Sequence, residues 1–346
     1  MKESESMVPI SVIVPLFNRE AFLPQLLNTL LSQTFQDFEV ILVDDGSTDG
    51  TKKWIDIHFA SSNLNYQYIF QENGGPYKAR NTGLKHSSGM YIALFDSDDE
   101  WPAYHLSECY NAMVQNPDID WLFASIKRIE HKSGLVLEES NFFENGKLHP
   151  VLGLKTDERV FENDCISVIN DERLPETMIK HTLPGSMQCS LIKREVFDFH
   201  IFDEDFRTTY DRFYCMRSAI AGFKFAFIKK THLVYHVHSD NISTVGESAP
   251  DKLLRSGKTL LRGYSIISSY SQNKRQKQAA IKCMSNVYAW IIGTAYQKEE
   301  QHVHAMKSYA KSFKLNPFNP LILKSFLVSI IKFIFKPFRF LLIRGK

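Results

Sequence analysis

Short apolar runs that stop abruptly in acids constrain this 346-residue chain more than any other feature. Residues 10–15 (ISVIVP) form a β-branched run of the kind a buried strand requires, and Phe22, Leu26, Leu27, Leu30 and Leu31 then recur at helical spacing. A second apolar run, 38–43, ends at Asp44-Asp45-Gly46, and the run 91–95 ends at Asp96-Ser97-Asp98-Asp99. Residues 66–70 read as a further strand and 77–86 as a helix between them. Strand and helix alternating through short loops predict right-handed crossovers and a doubly wound, mostly parallel, Rossmann-like α/β sheet. In such sheets a ligand sits beyond the carboxyl ends of the strands, where this chain stacks its carboxylates.

Later residues are less regular. Residues 125–183 lose periodicity, and the acid-rich stretch 157–176 reads as a long excursion, a flap over a site. Strand and helix signals return over 190–228, and everything after Pro250 reads as helical, with 286–297 and 302–315 as an antiparallel pair. In the tail, 321–346, six Lys/Arg stand with no Asp/Glu, although 41 Lys/Arg nearly balance 39 Asp/Glu over the whole chain. At about 100° per residue, Lys324, Ser325, Ser329, Lys332, Lys336 and Arg339 share one arc and apolar residues fill the rest, the pattern of a basic amphipathic helix lying in a membrane interface, with a kink at Pro337. A core-packing helix with a solvated stripe is the alternative.

Composition removes several classes. A net charge of +2 gives no bulk basic surface, so nucleic acid is not an expected partner. Five scattered cysteines with no Cys-x-x-Cys pair argue against a disulfide framework or a zinc ribbon and suit a reducing cytosol. The N-terminus lacks the basic start and unbroken apolar core of a signal peptide. The loop 16–19 has no glycine, so the dinucleotide fingerprint is missing, as is a Gly-x-x-x-x-Gly-Lys phosphate loop.

Two acidic clusters carry the chemistry. Three carboxylates within four residues, Asp96, Asp98 and Asp99, repel one another unless a cation lies among them, and oxygen-only ligands suit Mg²⁺ or Mn²⁺. An acidic turn capping the next helix would look the same. Asp44 and Asp45 suit hydrogen bonds from a base N–H or ribose hydroxyls, while Ser47, Thr48 or Asp49 caps a helix. Asn73-Gly74-Gly75-Pro76 followed by Lys78 and Arg80 makes a glycine turn suited to a diphosphate.

In order along the chain, residues 11–18 (SVIVPLFN), 43–49 (VDDGSTD), Ala79-Arg80-Asn81-x-Gly83-Leu84, Gly89-x-Tyr91-Ile92 and Asp96-Ser97-Asp98-Asp99 resemble the family 2 inverting glycosyltransferases of bacterial surface-polysaccharide type, which have the GT-A fold. The resemblance covers residues 8–240, with 8–125 as the nucleotide-sugar half and 126–240 as the acceptor half. Residues 250–320 would be a helical extension and 321–346 the membrane-associating tail. It implies a nucleotide-sugar donor, most often a UDP-sugar, and a glycan or lipid-linked acceptor. Pro15, Phe17, Asp45 and Arg80 would then surround the nucleotide, Asp96 would contact ribose or metal, and Asp98 with Asp99 would hold Mn²⁺ or Mg²⁺ on the diphosphate. Further on, the likeness runs from Phe202-Asp203-Glu204 through Asp211 to His238-Ser239-Asp240-Asn241-Ile242-Ser243. It makes Asp211 the general base, in a Tyr210-Asp211-Arg212 setting where many relatives have Glu-Asp-aromatic. Asp203, Glu204 and Asp205 remain alternatives, and His238 matches a position that reaches the metal or the diphosphate. The implied enzyme is cytoplasmic and peripheral at the inner face of the membrane. A sugar nucleotidyltransferase and a non-catalytic nucleotide-sugar-binding scaffold are the rival readings.

Overall fold

The computed structural model describes residues 8–162, 164–238 and 249–343. Residues 239–243 of the motif above and 344–346 of the tail lie outside them. The chain divides into two units, 1–242 and 243–346.

In the first unit, β1 (Ile10–Leu16), α1 (Leu23–Leu31), β2 (Phe38–Asp44), α2 (Thr51–His58), β3 (Asn65–Phe70), α3 (Pro76–His86) and β4 (Tyr91–Leu94) follow the alternation read from the sequence. Next come α4 (His105–Gln115), β5 (Trp121–Glu130) and three short strands, β6 (Val136–Glu138), β7 (Phe143–Glu144) and β8 (Lys147–Leu148). The unit ends with β9 (Thr156–Phe161), β10 (Asp164–Ile169), α5 (Leu174–His181), β11 (Ser190–Lys193), α6 (Arg194–Phe199), α7 (Tyr210–Ala221) and β12 (Phe225–Val237). The main sheet runs β3-β2-β1-β4-β11-β5-β12-β10-β9. Strands β3, β2, β1 and β4 are parallel, as are β5 and β12, whereas β11 is antiparallel between β4 and β5. The mostly parallel doubly wound sheet is therefore present, in mixed form.

Strand β1 lies between β2 and β4, and alternation divides its side chains between the two faces. Ile10, Val12, Val14 and Leu16 pack with Leu23, Leu26, Leu30, Ile55, Phe59 and Leu106, which lie on or next to α1, α2 and α4. Ile13 points to the opposite face, against α3. An added Cβ at Gly83 would come within 2.3 Å of Ile13 Cγ2, so the glycine lets α3 sit close to the sheet.

The acid-rich stretch read as a loose excursion is instead an edge hairpin, β9 with β10, followed by α5. Its acids hid the period because an edge strand leaves charged side chains in solvent and satisfies them locally. Arg159 pairs with Asp118 at 2.6 Å, and Glu158 Oε1 accepts from the Ser167 hydroxyl at 2.6 Å.

The second unit is helical: α8 (Pro250–Tyr270), α9 (Lys274–Asn286), a π-helical stretch Val287–Gly293, α10 (Thr294–Lys298), α11 (His302–Leu315) and α12 (Pro320–Ile343). The expected helix over 286–297 proves to be the C-terminal part of a continuous run from Lys274 to Lys298. Helix α12 begins with Pro320, a residue pre-set for a first helical turn, and continues past Pro337 without a break. It packs on α11 through Ile322 and Phe326, while Ser329 is fully buried and accepts a hydrogen bond from Gln297 Nε2 at 2.6 Å. Ser329 thus leaves the solvent arc assigned to it from sequence, because a small hydroxyl satisfied by a neighbouring amide suits a helix interface. Among the described residues no helix is long and apolar enough to cross a membrane.

Candidate active site

The carboxyl ends of β1, β2 and β4 deliver three loops. Half-buried Pro15 stands near the end of β1, and the loop after it carries exposed Phe17, then Asn18 in a left-handed conformation with φ 54°. It is laced to the β2 loop. The Asn18 N–H donates to Ser47 Oγ at 2.8 Å, and the Thr48 N–H donates to Asn18 Oδ1 at 2.8 Å. Asp49 accepts from the Glu20 and Thr51 N–H groups, which begin the first turns of two helical segments.

Asp44 and Asp45 are buried and satisfied within the protein. Asp44 accepts from the Ser47 N–H at 2.7 Å and the Tyr68 hydroxyl at 2.6 Å. Asp45 accepts from the Gly74 N–H at 2.8 Å, the Gly75 N–H at 2.7 Å and Gln71 Nε2 at 2.6 Å. This carboxylate shapes the glycine turn that opens α3. Gly75 has φ 92°, which requires glycine, and Arg207 Nη1 lies 2.3 Å from where a Cβ would sit. Lys78 crosses Gly74 and Arg207 crosses Gly75, placing two cations over the turn.

Arg80, one turn into α3, is buried and pairs with Asp96 at 2.8 Å, and its guanidinium lies 5.5 Å from the Tyr77 ring centroid. Asp96 also accepts from Gln188 Nε2 at 2.5 Å. Asp98 Oδ2 lies 3.4 Å from Arg19 Nη2 and 3.3 Å from His238 Nε2, so the structure brings together two of the residues expected at a metal. The His238 ring stacks on Phe22 at 5.1 Å. Behind it, His131 and His236 share a hydrogen bond between Nδ1 atoms at 3.1 Å, and His236 Nε2 lies 3.6 Å from Glu100.

Asp99 is 1% exposed, and neither of its oxygens has a well-formed hydrogen bond. Burial, then the charges of Asp98 and Asp96, push its carboxyl well above the usual carboxylate range, while the His236 backbone N–H and the charge of Arg19 offset only part of that push. Two orphaned buried oxygens beside two further acids form a hard, oxygen-rich donor set that fits a divalent cation such as Mg²⁺ or Mn²⁺.

Asp211 lies in the first turn of α7, behind Thr209 in a left-handed conformation with φ 69°. The Tyr77 hydroxyl donates to Asp211 Oδ1 at 2.5 Å and accepts from the Tyr210 N–H at 2.7 Å. Burial, then the negative charge of Asp211, raise the Tyr77 hydroxyl well above its ordinary range, so the proton stays on the tyrosine. Asp96, Arg80, Tyr77 and Asp211 form one chain of contacts from the acidic loop to α7. Of the alternatives to Asp211, Glu204 accepts from Asn81 Nδ2 at 2.8 Å and Asp203 Oδ1 accepts from the Asp205 N–H at 3.0 Å.

Tyr77, Gln188, Arg19, Phe22, His131 and His236 escaped sequence reasoning, since they reach the site from five segments far apart in the chain, Arg19 and Phe22 sharing one turn. The spacing of His236 and His238 was the available signal, because residues two apart on an extended strand share a face.

The sheet order, the helices on both faces and the acids beyond the strand ends define a GT-A nucleotide-sugar-binding fold. The glycosyl transferase family 2 model matches residues 11–198, more than half of the chain, and the chain belongs to that family. An uncharacterized glycosyltransferase of Rickettsia bellii is 44% identical over 132 residues, 38% of this chain and 19% of that protein. Glycosyltransferase GlyA of Streptococcus pneumoniae is 39% identical over 106 residues, 31% of this chain and 15% of its own. The poly(ribitol-phosphate) beta-N-acetylglucosaminyltransferase TarS of Staphylococcus aureus is 41% identical over 95 residues, 27% of this chain and 17% of TarS. The chain spans less than a fifth of the length of these relatives. Among solved structures, residues 1–349 of S. aureus TarS in complex with UDP superpose with TM-score 0.60 at 18% identity, covering 94% of this chain and 91% of that one. The mannosyltransferase PcManGT of Pyrobaculum calidifontis, in complex with GDP-Man and Mn²⁺, superposes with TM-score 0.54 at 16% identity, covering 94% and 87%. Both likenesses establish the shared fold.

Proposed function

We propose that this chain is a metal-dependent inverting glycosyltransferase that moves a sugar from a UDP-sugar to a hydroxyl of a glycan or lipid-linked acceptor in bacterial surface-polysaccharide synthesis. The observation that carries this reading is the contact chain from Asp96 through Arg80 and Tyr77 to Asp211, which ties the donor-side acids to a carboxylate at the start of α7. In this mechanism the acceptor hydroxyl attacks the anomeric carbon from the side opposite the leaving diphosphate, and Asp211 takes its proton as the bond forms. Tyr77 orients the carboxylate and leaves its second oxygen for the acceptor. Arg80 is committed to Asp96, so it holds the ribose-side loop, while Lys78 and Arg207 above the glycine turn are the cations available to the diphosphate. Asp98 and Asp99, with His238, would hold a divalent cation, which when bound offsets charge developing on the departing nucleotide. Pro15 and Phe17 give the nucleotide base an apolar edge.

The test is thermal unfolding against a panel of nucleoside diphosphates, with and without Mn²⁺. UDP at a hundredfold excess over its dissociation constant is expected to stabilise the folded protein by about 2.7 kcal/mol, and Asp98→Ala to abolish the Mn²⁺-dependent part. The absence of any nucleotide shift would defeat the reading.

The acceptor reading rests on α12. Leu321, Leu323, Leu327, Val328, Ile331 and Ile334 are exposed on this helix, flanked by exposed Lys324 and Lys332, and the tail sequence contains no acid. An apolar face edged by cations matches an anionic lipid surface. Flotation with anionic vesicles should carry the protein, vesicles of neutral lipid should carry less, and Lys324→Glu with Lys332→Glu should weaken binding by about 1 kcal/mol or more per lysine. Equal flotation on both lipids by both proteins would remove the membrane part of the proposal.

A further inference from the structure

Away from the oxygen-rich acids, a second group of ligand-type side chains converges inside the first unit. His105 opens α4, and Cys109 stands four residues later, where the helix repeat brings it to the same side. His232 comes from β12. All three are fully buried. His105 Nδ1 lies 3.2 Å from His232 Nδ1, and Cys109 Sγ lies 3.8 Å from the first and 3.6 Å from the second.

These separations are those of ligands around a common centre. With Zn–N near 2.0–2.1 Å and Zn–S near 2.3 Å, the edges of a tetrahedron are about 3.3 Å for N···N and about 3.6 Å for N···S. The outer atoms fit as well. His232 Nε2 sits 3.3 Å from Glu108 Oε2, and Glu108 is itself held by Lys230. Neither atom is in a well-formed hydrogen bond, but a carboxylate this near the far nitrogen favours the ring proton there, which leaves the Nδ1 lone pair for the group, the outer-shell arrangement that metal-bound histidines use. The His105 ring is held in place by Trp101, with centroids 4.3 Å apart.

We propose that His105, Cys109 and His232 form a structural site for Zn²⁺ or a similar borderline-soft divalent cation, bound through two Nδ1 atoms and one thiolate. Three protein ligands leave a fourth position for a small exogenous ligand. On binding, the cysteine thiol gives up its proton to solvent and no oxidation occurs. Imidazole and thiolate donors separate this site from the Asp98–Asp99 set, which suits harder cations. Its position gives it a role. It would clamp α4, which follows the acidic loop, to β12, whose end carries His238 to Asp98. The proposal stands independently of the glycosyl-transfer reading.

The test is Co²⁺ substitution in the full chain, refolded with Co²⁺ and no nucleotide. The expected result is about one equivalent of metal per chain with a thiolate-to-cobalt charge-transfer band. Cys109→Ser should lose that band while Asp98→Ala keeps it. In parallel, protein purified without chelator should contain zinc by elemental analysis, and a zinc-selective chelator should lower its unfolding midpoint. If the wild-type protein contains no zinc and shows no thiolate band after refolding with Co²⁺, the three side chains are a hydrogen-bonded core cluster and the proposal fails. That outcome needs only the wild-type chain, so it holds even where Cys109→Ser does not fold.

Discussion

The loops after β2 and β4 begin alike, with acids placed where a strand ends, and they use those acids in opposite ways. Asp44 and Asp45 spend their oxygens on backbone N–H groups, a tyrosine and a glutamine. Asp99 has no well-formed hydrogen bond to either oxygen, and Asp98 faces two cation-capable side chains, Arg19 and His238, at 3.3–3.4 Å. One loop uses negative charge to fix backbone, its own through Asp44 and that of the glycine turn before α3 through Asp45. The other keeps buried carboxylate oxygens without well-formed hydrogen bonds, and the difference is one of hydrogen-bond satisfaction rather than composition.

The largest expected effect belongs to Asp211, which stands between these two kinds of acid: anchored by Tyr77 on one oxygen and available on the other. Asp211→Asn should lower turnover by roughly 10²–10⁴-fold, the usual worth of a general base, with donor binding by calorimetry unchanged. Turnover within a factor of a few of the parent would assign the proton to another group. Asp45→Ala comes next and should act on stability. It leaves the N–H groups of Gly74 and Gly75 without their acceptor, at about 1–3 kcal/mol each, so denaturant unfolding should show a loss of about 2–6 kcal/mol. A loss under about 1 kcal/mol would mean that water replaces the carboxylate, making the β2 loop less different from the β4 loop than its hydrogen bonds imply.

Both loops were legible in the sequence as acids after apolar runs, because a parallel sheet must end its buried strands somewhere polar. What the sequence could not separate was Asp45 from Asp98, since their roles depend on partners 26 or more residues away, such as Gln71, Gly74 and His238. Periodicity located β1, β2 and β4 well because both of their faces are buried. It failed for β9, whose exposed edge replaces alternation with charge, and for Ser329, where a buried serine imitates a solvent-facing one. Asp211 was reachable only through resemblance. Its anchoring by Tyr77 is a tertiary contact between the first turns of α3 and α7, and no local pattern encodes it.

Acid sensitivity sets the conditions under which the two loops can be compared. His200 is buried against the Tyr214 ring at 4.1 Å, and burial followed by the charge of Arg217 brings its imidazole down to about 4. A histidine harder to protonate when folded contributes stability that is complete above its unfolded value near 6.5 and is lost as pH falls toward 4. Over that interval the loss approaches about 3 kcal/mol, and His200→Gln should flatten the decline in a pH series of unfolding curves. An unchanged slope would show that other buried groups dominate acid unfolding.

Above pH 7 that contribution is constant, and Asp99→Asn can be measured against it. The amide keeps the shape of the carboxyl and removes an acid whose ionised form is opposed by burial and by the charges of Asp98 and Asp96. Metal-free protein should therefore become more stable, by on the order of 1 kcal/mol, while the stabilisation produced by Mn²⁺ with UDP shrinks. Opposite signs with and without the cation are what separates the β4 loop from the β2 loop, where removing Asp45 lowers stability under both conditions. If Asp99→Asn destabilises the metal-free protein, Asp99 is holding backbone as Asp45 does, and the cation would rest on Asp98 and His238 without it.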